Sequence, residues 1–314
     1  MAAAVAGAGD GVGLGHLDVR SLSPGHLLRP NMTLAGTEPM AAGAWSVRAG
    51  GAIGNLWLHR EGAYTIDGEW IALDARVSHA LTDTLRLSVA VPVLGRTGGF
   101  ADGAIEGFHE AFGLGNAGRE EHPRNQLLMD MDGTGDGRRV DSESWGLGDI
   151  PVFASWKTTP LGDRGPVIFL GGGASLPTGD ESNLEGLGVP LWGASVLAFQ
   201  RLGRSGWILY GGGSVSYADI EEVFGIRLHR TEVGGLLGLQ VRLGADTALL
   251  AQYLHTSPVA RDYYSFSDST HEVHLGVKHR LGPRTVAELA FLENILRFDN
   301  SMDVGLAMAV VHTF

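Results

Sequence analysis

Four aspartates, Asp130, Asp132, Asp136 and Asp141, crowd the stretch that begins Asp130-Met131-Asp132-Gly133-Thr134-Gly135-Asp136-Gly137. Carboxylates at such short spacing are what a calcium loop uses. An EF-hand needs Gly at its sixth position and Glu at its twelfth; counted from Asp130, the sixth residue is Gly135 but the twelfth is Asp141. The match is partial, no helix pattern flanks it on both sides, and the stretch reads as a solvated turn. These four are weak metal candidates, and neither a metal nor a cofactor is expected.

A second set of reactive types lies late in the chain: His255, Ser257, His271, His274 and His279, with Glu272 and Glu288 as carboxylates. Catalysis would need a nucleophile, a base and an orienting group within reach of one another, and no spacing here singles out a triad. The chain is therefore not expected to be an enzyme, and a membrane-embedded hydrolase is kept only as a minor alternative. Gly171-Gly172-Gly173 and Gly211-Gly212-Gly213 are not phosphate cradles, because each lies inside a strand pattern with no helix after it.

The charged residues inside alternating segments say more. Arg48, Asp74, Arg76, Arg86, Asp149, Lys157, Glu232, Gln240, Arg242, Glu272, Lys278, Arg280 and Glu288 all fall opposite an apolar face. Such residues would line a polar interior. Arg48, Arg76 and Arg86 would form a basic stripe on three successive strands, with Asp74 and Glu288 the nearest groups to neutralise it.

Period-two alternation positions these residues. Trp45 to His59, Gly68 to Leu81 and the strand from Leu85 alternate in this way. Trp145 to Thr158, Gly165 to Pro177, Val189 to Leu202, Ser205 to Asp219, Leu228 to Leu243, Asp246 to Pro258, Ser269 to Leu281 and Arg284 to Ile295 follow the same pattern. In the closing strand Val304, Leu306, Met308, Val310, His312 and Phe314 oppose smaller residues, bringing the count to about twelve strands. Links alternate in length: tight at Thr82-Asp83, Gly203-Arg204, Gly244-Ala245 and Gly282-Pro283, slightly longer at Thr159 to Arg164. They are long at Arg60 to Asp67, Arg96 to Ser144, Thr178 to Gly188, Ile220 to Arg227, Val259 to Asp268 and Leu296 to Met302. Short turns on one rim and long loops on the other mark an outer-membrane barrel.

In the long insertion, Ile105, Phe108, His109 and Phe112 recur at helical spacing, giving a short helix within Asp102 to Leu114 that we expect near the mouth. Leu127 to Val140 reads as a hairpin projecting from the rim.

Composition agrees with a barrel. The 314 residues carry 23 Lys and Arg against 35 Asp and Glu, a net charge of -12, which argues against a nucleic-acid partner. The absence of cysteine removes disulfides and thiolate chemistry. No segment offers the roughly 18 consecutive apolar residues of a membrane helix, which leaves closed barrels open as a way to span a bilayer. The opening Met1-Ala2-Ala3-Ala4-Val5-Ala6-Gly7-Ala8-Gly9 lacks the basic start and apolar run of a signal peptide, so the natural start is expected upstream.

Several motifs together resemble the uncharacterised bacterial family called domain of unknown function 3187. They are Gly146-Leu147-Gly148-Asp149-Ile150, Leu176-Pro177-Thr178-Gly179-Asp180, Ile105-Glu106-Gly107-Phe108-His109-Glu110-Ala111-Phe112-Gly113-Leu114 and His255-Thr256-Ser257-Pro258. The resemblance runs from about Leu17 to the end and implies a Gram-negative outer-membrane β-barrel with no established activity. The first two motifs are shared more loosely with barrels implicated in uptake of aromatic compounds.

The expected fold is all-β: a single antiparallel up-and-down transmembrane barrel of about twelve strands, with a short helix in one long external loop at about 97–144. Residues 1–42 would be an irregular periplasmic lead-in, tucked into the barrel mouth or disordered, and 43–314 the barrel. Phe314 resembles the terminal signal read by the barrel-assembly machinery, which with outer-membrane lipid would be the partner. The function expected is passive passage or binding of an unidentified small molecule through the lumen. The alternative is a structural or adhesive barrel whose lumen is plugged.

Overall fold

Alternation becomes strand from Trp45 onward, and most side chains take the side that their parity dictates. The computed structural model describes residues 11–29, 37–113, 116, 118–131, 138–158, 165–203, 206–297 and 299–314, without the side chains of Phe108, His109, Phe112 and Arg138. β1 (Trp45–Arg60), β2 (Tyr64–Ala80) and β3 (Leu85–Thr97) form an antiparallel meander. The fourth barrel strand is interrupted, running as β6 (Ser144–Leu147) and β7 (Ile150–Lys157). Then follow β8 (Val167–Leu176), β9 (Leu191–Leu202), β10 (Trp207–Ala218), β13 (Thr231–Leu243), β14 (Thr247–Thr256), β15 (Thr270–Gly282), β16 (Thr285–Asn294) and β17 (Val304–Thr313). Each pairs antiparallel with the next, and β17 returns to β1 from Ser46↔Thr313 to Asn55↔Val304, which closes the twelve-stranded barrel.

Closure leaves no free edge and sorts side chains by parity. Leu73, Val77, Val89, Leu209, Leu237 and Leu306 stand outward and exposed, whereas Arg48, Arg76, Gln240, Glu272 and Lys278 stand inward and buried. Exposed Trp45, Trp156 and Trp207 ring the short-turn end; Trp145, Trp192 and Tyr217 ring the long-loop end. Ten residue steps along β10 separate Trp207 from Tyr217. At a rise of roughly 3.3 Å per residue and a tilt of roughly 40°, that is about 25 Å of height, the apolar band of a membrane barrel.

The wall has one irregularity. Strand β3 pairs Val93 with Leu147 and Val89 with Val152, so 90–92 face 148–151 and one residue bulges. Pro92 and Pro151 sit in that bulge without an N–H to give, and Gly148 N donates across it to Pro92 O at 2.9 Å.

Two features of the long-loop end differ from expectation. The link expected at Arg60 to Asp67 is strand almost throughout: β1 and β2 pair as far as Arg60↔Tyr64, leaving 61–63 as the turn. Alternation fades there because both faces of the hairpin are covered, so Leu56, Trp57 and Leu58 are all buried. The cover is the insertion. Its helix α2 (Asp102–Phe112) packs outside the wall rather than over the mouth, with Asn55 Nδ2 donating to Asp102 Oδ1 at 3.0 Å and Arg119 Nη2 to Asn55 Oδ1 at 2.8 Å. Outward Glu69 is likewise buried, accepting from Phe100 N and Ala101 N at 2.8 Å. The expected hairpin is β4 (Leu128–Met131) with β5 (Arg138–Val140), and it extends the wall by pairing Ile66 of β2 with Met129.

The lead-in enters the lumen instead of stopping at the periplasmic rim. Val12, Leu17, Val19 and Leu22 are almost fully buried against inward residues of the wall. A single helical turn, α1 (Pro24–Leu27), stands at the long-loop end, where His26 Nε2 meets Ser257 O at 3.2 Å. By 37–40 the chain is back at the short-turn end, with Glu38 on Arg86. Two wall glycines make the room: a Cβ on Gly276 would meet Leu17 Cδ2 at 2.6 Å, and one on Gly54 would meet Leu22 Cδ1 at 2.8 Å.

Candidate functional site

The lumen is the candidate site, and the segment 11–29 fills it. Asp18 carries the central charge. Its carboxylate accepts from Arg76 Nη2 and lies 3.3 Å from Arg48 Nε, while its carbonyl accepts from Arg48 Nη2 at 2.9 Å. Arg48 is held from the other side by both oxygens of Asp74 at 2.6 Å. Glu38, farther along the lead-in, lies 3.2 Å from Arg86 Nη1 and 3.7 Å from Arg76 Nη2. The basic stripe is thus bonded across the lumen, and its main counter-charges come from the lead-in.

Glu288 takes another role. It pairs with Lys278 Nζ at 2.8 Å and accepts from Asp18 N at 3.2 Å. Higher up, Glu272 accepts from Ser21 Oγ and from Ser301 Oγ, each at 2.6 Å, and meets His274 Nε2 at 3.2 Å. Glu232 lies 3.8 Å from His26 and 4.0 Å from Arg29, whose guanidinium also donates to His229 O. The remaining charges keep to the short-turn rim. Arg242 donates to Ala245 O at 3.2 Å, Arg280 is 3.9 Å from Asp246, and Lys157 is half-buried nearby.

Across from the stripe the wall is apolar. Phe169 meets Phe199 edge-on with centroids 5.8 Å apart, Phe199 stacks on Tyr210 at 5.5 Å, and the His16 ring stands 6.4 Å from the last two. Gln240 and Gln252 fix the segment's backbone, Gln240 by accepting from Leu14 N at 2.8 Å and Gln252 by donating to Leu17 O at 3.2 Å. The plug is therefore held by ions on one side and by packing on the other. A cavity of about 90 Å³ remains between Val19, Arg20 and the wall at Pro92 and Pro151.

Asp18, Ser21 and Glu38 are the functional residues that reading along the strands misses. No period marks them: in Leu17-Asp18-Val19-Arg20-Ser21-Leu22 the apolar residues recur at unequal spacing, and Glu38 lies apart from that stretch.

Two of the motifs prove to be one structure. Asp149 accepts from Gly179 N and Leu187 N, each at 2.9 Å, while Thr178 Oγ1 donates to Gly148 O at 2.8 Å and receives Ile150 N at 3.1 Å. The pair Gly146–Ile150 and Leu176–Asp180 thus clamps the bulged strand to the following loop. Within that loop, hydrogen bonds from Ser182 hold the Asp180 carboxyl below its usual range. Beside α2, burial pushes the Asp303 carboxyl up to about 7 although Arg119 bonds it, with Glu293, Asp102 and Asp67 adding to the rise.

The histidines do not converge. His274 is inside with Glu272, whereas His255 and His271 lie together near the outer face with ring centroids 5.1 Å apart, and His279 binds Thr247 at 2.8 Å. Ser257 Oγ accepts from Val233 N at 2.9 Å. Of the four clustered aspartates, Asp132 and Asp136 lie outside the described residues. Asp130 and Asp141 both reach Arg139, at 3.4 and 3.2 Å. Among the described residues no three His, Asp or Glu are grouped to hold a metal.

The fold is similar to that of the COG4313 outer membrane channel from Pseudomonas putida F1, at a TM-score of 0.60 and 12% identity, covering 89% of this chain and 99% of that one. The NanC porin gives a TM-score of 0.48 at 8% identity over 85% of this chain and 98% of its own. The toluene transporter TbuX of Ralstonia pickettii gives 0.45 at 10% identity over 98% of each chain. At such identities the likeness concerns the barrel fold. No curated protein matches the sequence. A family model described as a protein of unknown function, DUF3187, matches residues 1–314.

Proposed function

The chain belongs to the DUF3187 family, whose model spans residues 1–314, and we propose that it is an outer-membrane barrel that passes a small solute through a lumen gated by its own N-terminal segment. The observation that carries this reading is how the segment is held. Among the described residues no strand ladder joins 11–29 to the wall; the links are side-chain ion pairs, amide bonds from Gln240 and Gln252, and packing. Displacing it therefore leaves the barrel closed and intact. The outward apolar band and the two aromatic rims support a place in a bilayer. The division then falls at about residue 42, with the gating segment before it and the barrel after it.

The rival reading is a permanently plugged barrel with a structural or adhesive role, and the density of ion pairs around Asp18 favours it. The two readings separate in one experiment on the whole chain. Ser21 and Ser301 share an acceptor oxygen, so the double variant Ser21→Cys, Ser301→Cys brings two thiols together in a protein that otherwise has none. In planar bilayers the reduced form is expected to conduct in bursts and the oxidised form to fall silent. Silence in both forms at every voltage would leave the permanently plugged barrel as the better description.

A further inference from the structure

Above the plug, the long-loop end holds a second cavity that the conduit does not use. Its floor is the helical turn of the plug, at Pro24, Gly25 and Leu28, and its wall includes Met129, Met131 and Phe266. The roof is a small detached hairpin, β11 (Glu222–Val223) with β12 (Ile226–Arg227), which has only two residue pairs and forms its own sheet. Val223, Phe224 and Ile226 of that hairpin close over the space. Every lining side chain is apolar, so no side chain presents a donor or an acceptor to an occupant.

Backbone conformation is unusual at the same place. Phe224 and Leu184, both lining the cavity, have φ of 52°, the left-handed region that bulky side chains rarely adopt. Strain of this kind persists where the surroundings over-determine it, and it clusters at ligand clamps. Here it holds two large apolar side chains onto one space.

We propose that this cavity is a binding site for a small, neutral, apolar molecule of up to one aromatic ring. The proposal goes beyond the conduit and stands whether or not a solute crosses the barrel. With no polar side chain in the lining, water is disfavoured and an apolar occupant gains contacts that the empty space forgoes. The cavity measures about 60 Å³, smaller than the roughly 150 Å³ engineered cavity that admits benzene. Met129 and Met131 supply the difference, because an unbranched thioether repacks readily and makes favourable sulfur–ring contacts. Entry needs the two-pair hairpin to lift away from the neighbouring loop, where Arg261 N donates to Arg227 O at 2.9 Å and Arg227 pairs with Asp262, and the occupant then rests on the plug.

The methionines also supply the test. The chain has seven; two line the cavity, while Met308 faces outward at 64% exposure. With ¹³C-methyl methionine in the whole chain, held in lipid nanodiscs and titrated with toluene, the Met129 and Met131 signals are expected to shift and saturate. Met308 should instead drift in proportion to toluene dissolved in the lipid. Filling the space with Ile226→Trp, or with Val223→Phe should the first variant not fold, is expected to abolish the saturating shift and leave the Met308 drift intact. Met129 and Met131 signals that follow Met308 without saturating, or a saturating shift that survives in a folded filled variant, would overturn the proposal.

Discussion

Replacing Asp18 with Asn tests the gate at its most heavily bonded point. The change keeps size but removes the charge shared by Arg76 and Arg48. Removing one partner of a buried ion pair commonly costs about 3–5 kcal/mol, because the other charge stays buried and uncompensated. Here the low end applies: Arg48 keeps Asp74 at 2.6 Å and Arg76 keeps Glu38 at 3.7 Å. About 3 kcal/mol, at about 1.4 kcal/mol per tenfold, moves the ratio of seated to displaced plug by roughly a hundredfold. The barrel itself should be little affected, since Asp18 makes no strand pairing.

Single-channel recording reads that ratio as the fraction of time open. The Asp18→Asn protein is expected to open on the order of a hundred times more often than the wild type, with unchanged heat-modifiable migration of the folded barrel. Adding the oxidised Ser21→Cys, Ser301→Cys link should return it to silence. An open fraction within about threefold of wild type would mean that Asp18 does not hold the gate. A rise that persists in the linked protein would mean that ions leak along another path.

Other residues make separate predictions. Because Arg76 is bonded to Asp18 and Glu38, Arg76→Glu sets three carboxylates together and should raise the open fraction at least as far as Asp18→Asn does; an open fraction equal to that of the wild type would contradict the bonded arrangement. Asp149→Asn should weaken the clamp on Gly179 N and Leu187 N by about 1–3 kcal/mol and speed proteolytic nicking within 177–190, while unaltered nicking would make the clamp dispensable. Deleting Phe314, whose N–H donates to Trp45 O at 2.8 Å and whose ring meets His312 at 4.7 Å, should reduce the folded, heat-modifiable fraction in outer membranes. Normal yield would remove the terminal aromatic from the assembly signal.

The wall was legible because lipid and lumen impose opposite demands on neighbouring residues. Val47, Leu73 and Val77 had to differ from Arg48, Asp74 and Arg76, and a period of two records that difference. The same rule fails from about Asn55 to Trp70, where the insertion covers the outer face and buries Trp57 and Glu69 with the inner ones; a strand buried on both sides carries no alternation. The plug was illegible for another reason. Leu17 and Asp18 take their partners from Gly276, Gln252, Arg48 and Arg76, which lie far off in sequence, and an irregular backbone leaves no period to read. The motifs around Asp149 and Thr178 signalled that something was fixed there, but only hydrogen-bond geometry shows that each motif is the other's partner.

An emptied lumen would be electrically different from the filled one. Arg48, Arg76 and Arg86 sit on three hairpin-connected strands, and among the described residues Asp18 and Glu38 meet them from the lead-in and Asp74 from the wall. Lys278 and Glu288 pair with each other and cancel. When the segment leaves with Asp18 and Glu38, the passage loses two negative charges while the three guanidiniums stay on the wall. Taking a counter-charge away from a buried cation carries a large penalty, so the displaced state draws in water and anions, and this is one reason for the segment to return. The open Asp18→Asn channel should accordingly show a reversal potential on the anion-selective side in a salt gradient, weakening as ionic strength rises. Cation preference in that channel would mean that Glu38 stays behind when it opens, and the passage would then have to run beside the plug instead of through the space it vacates.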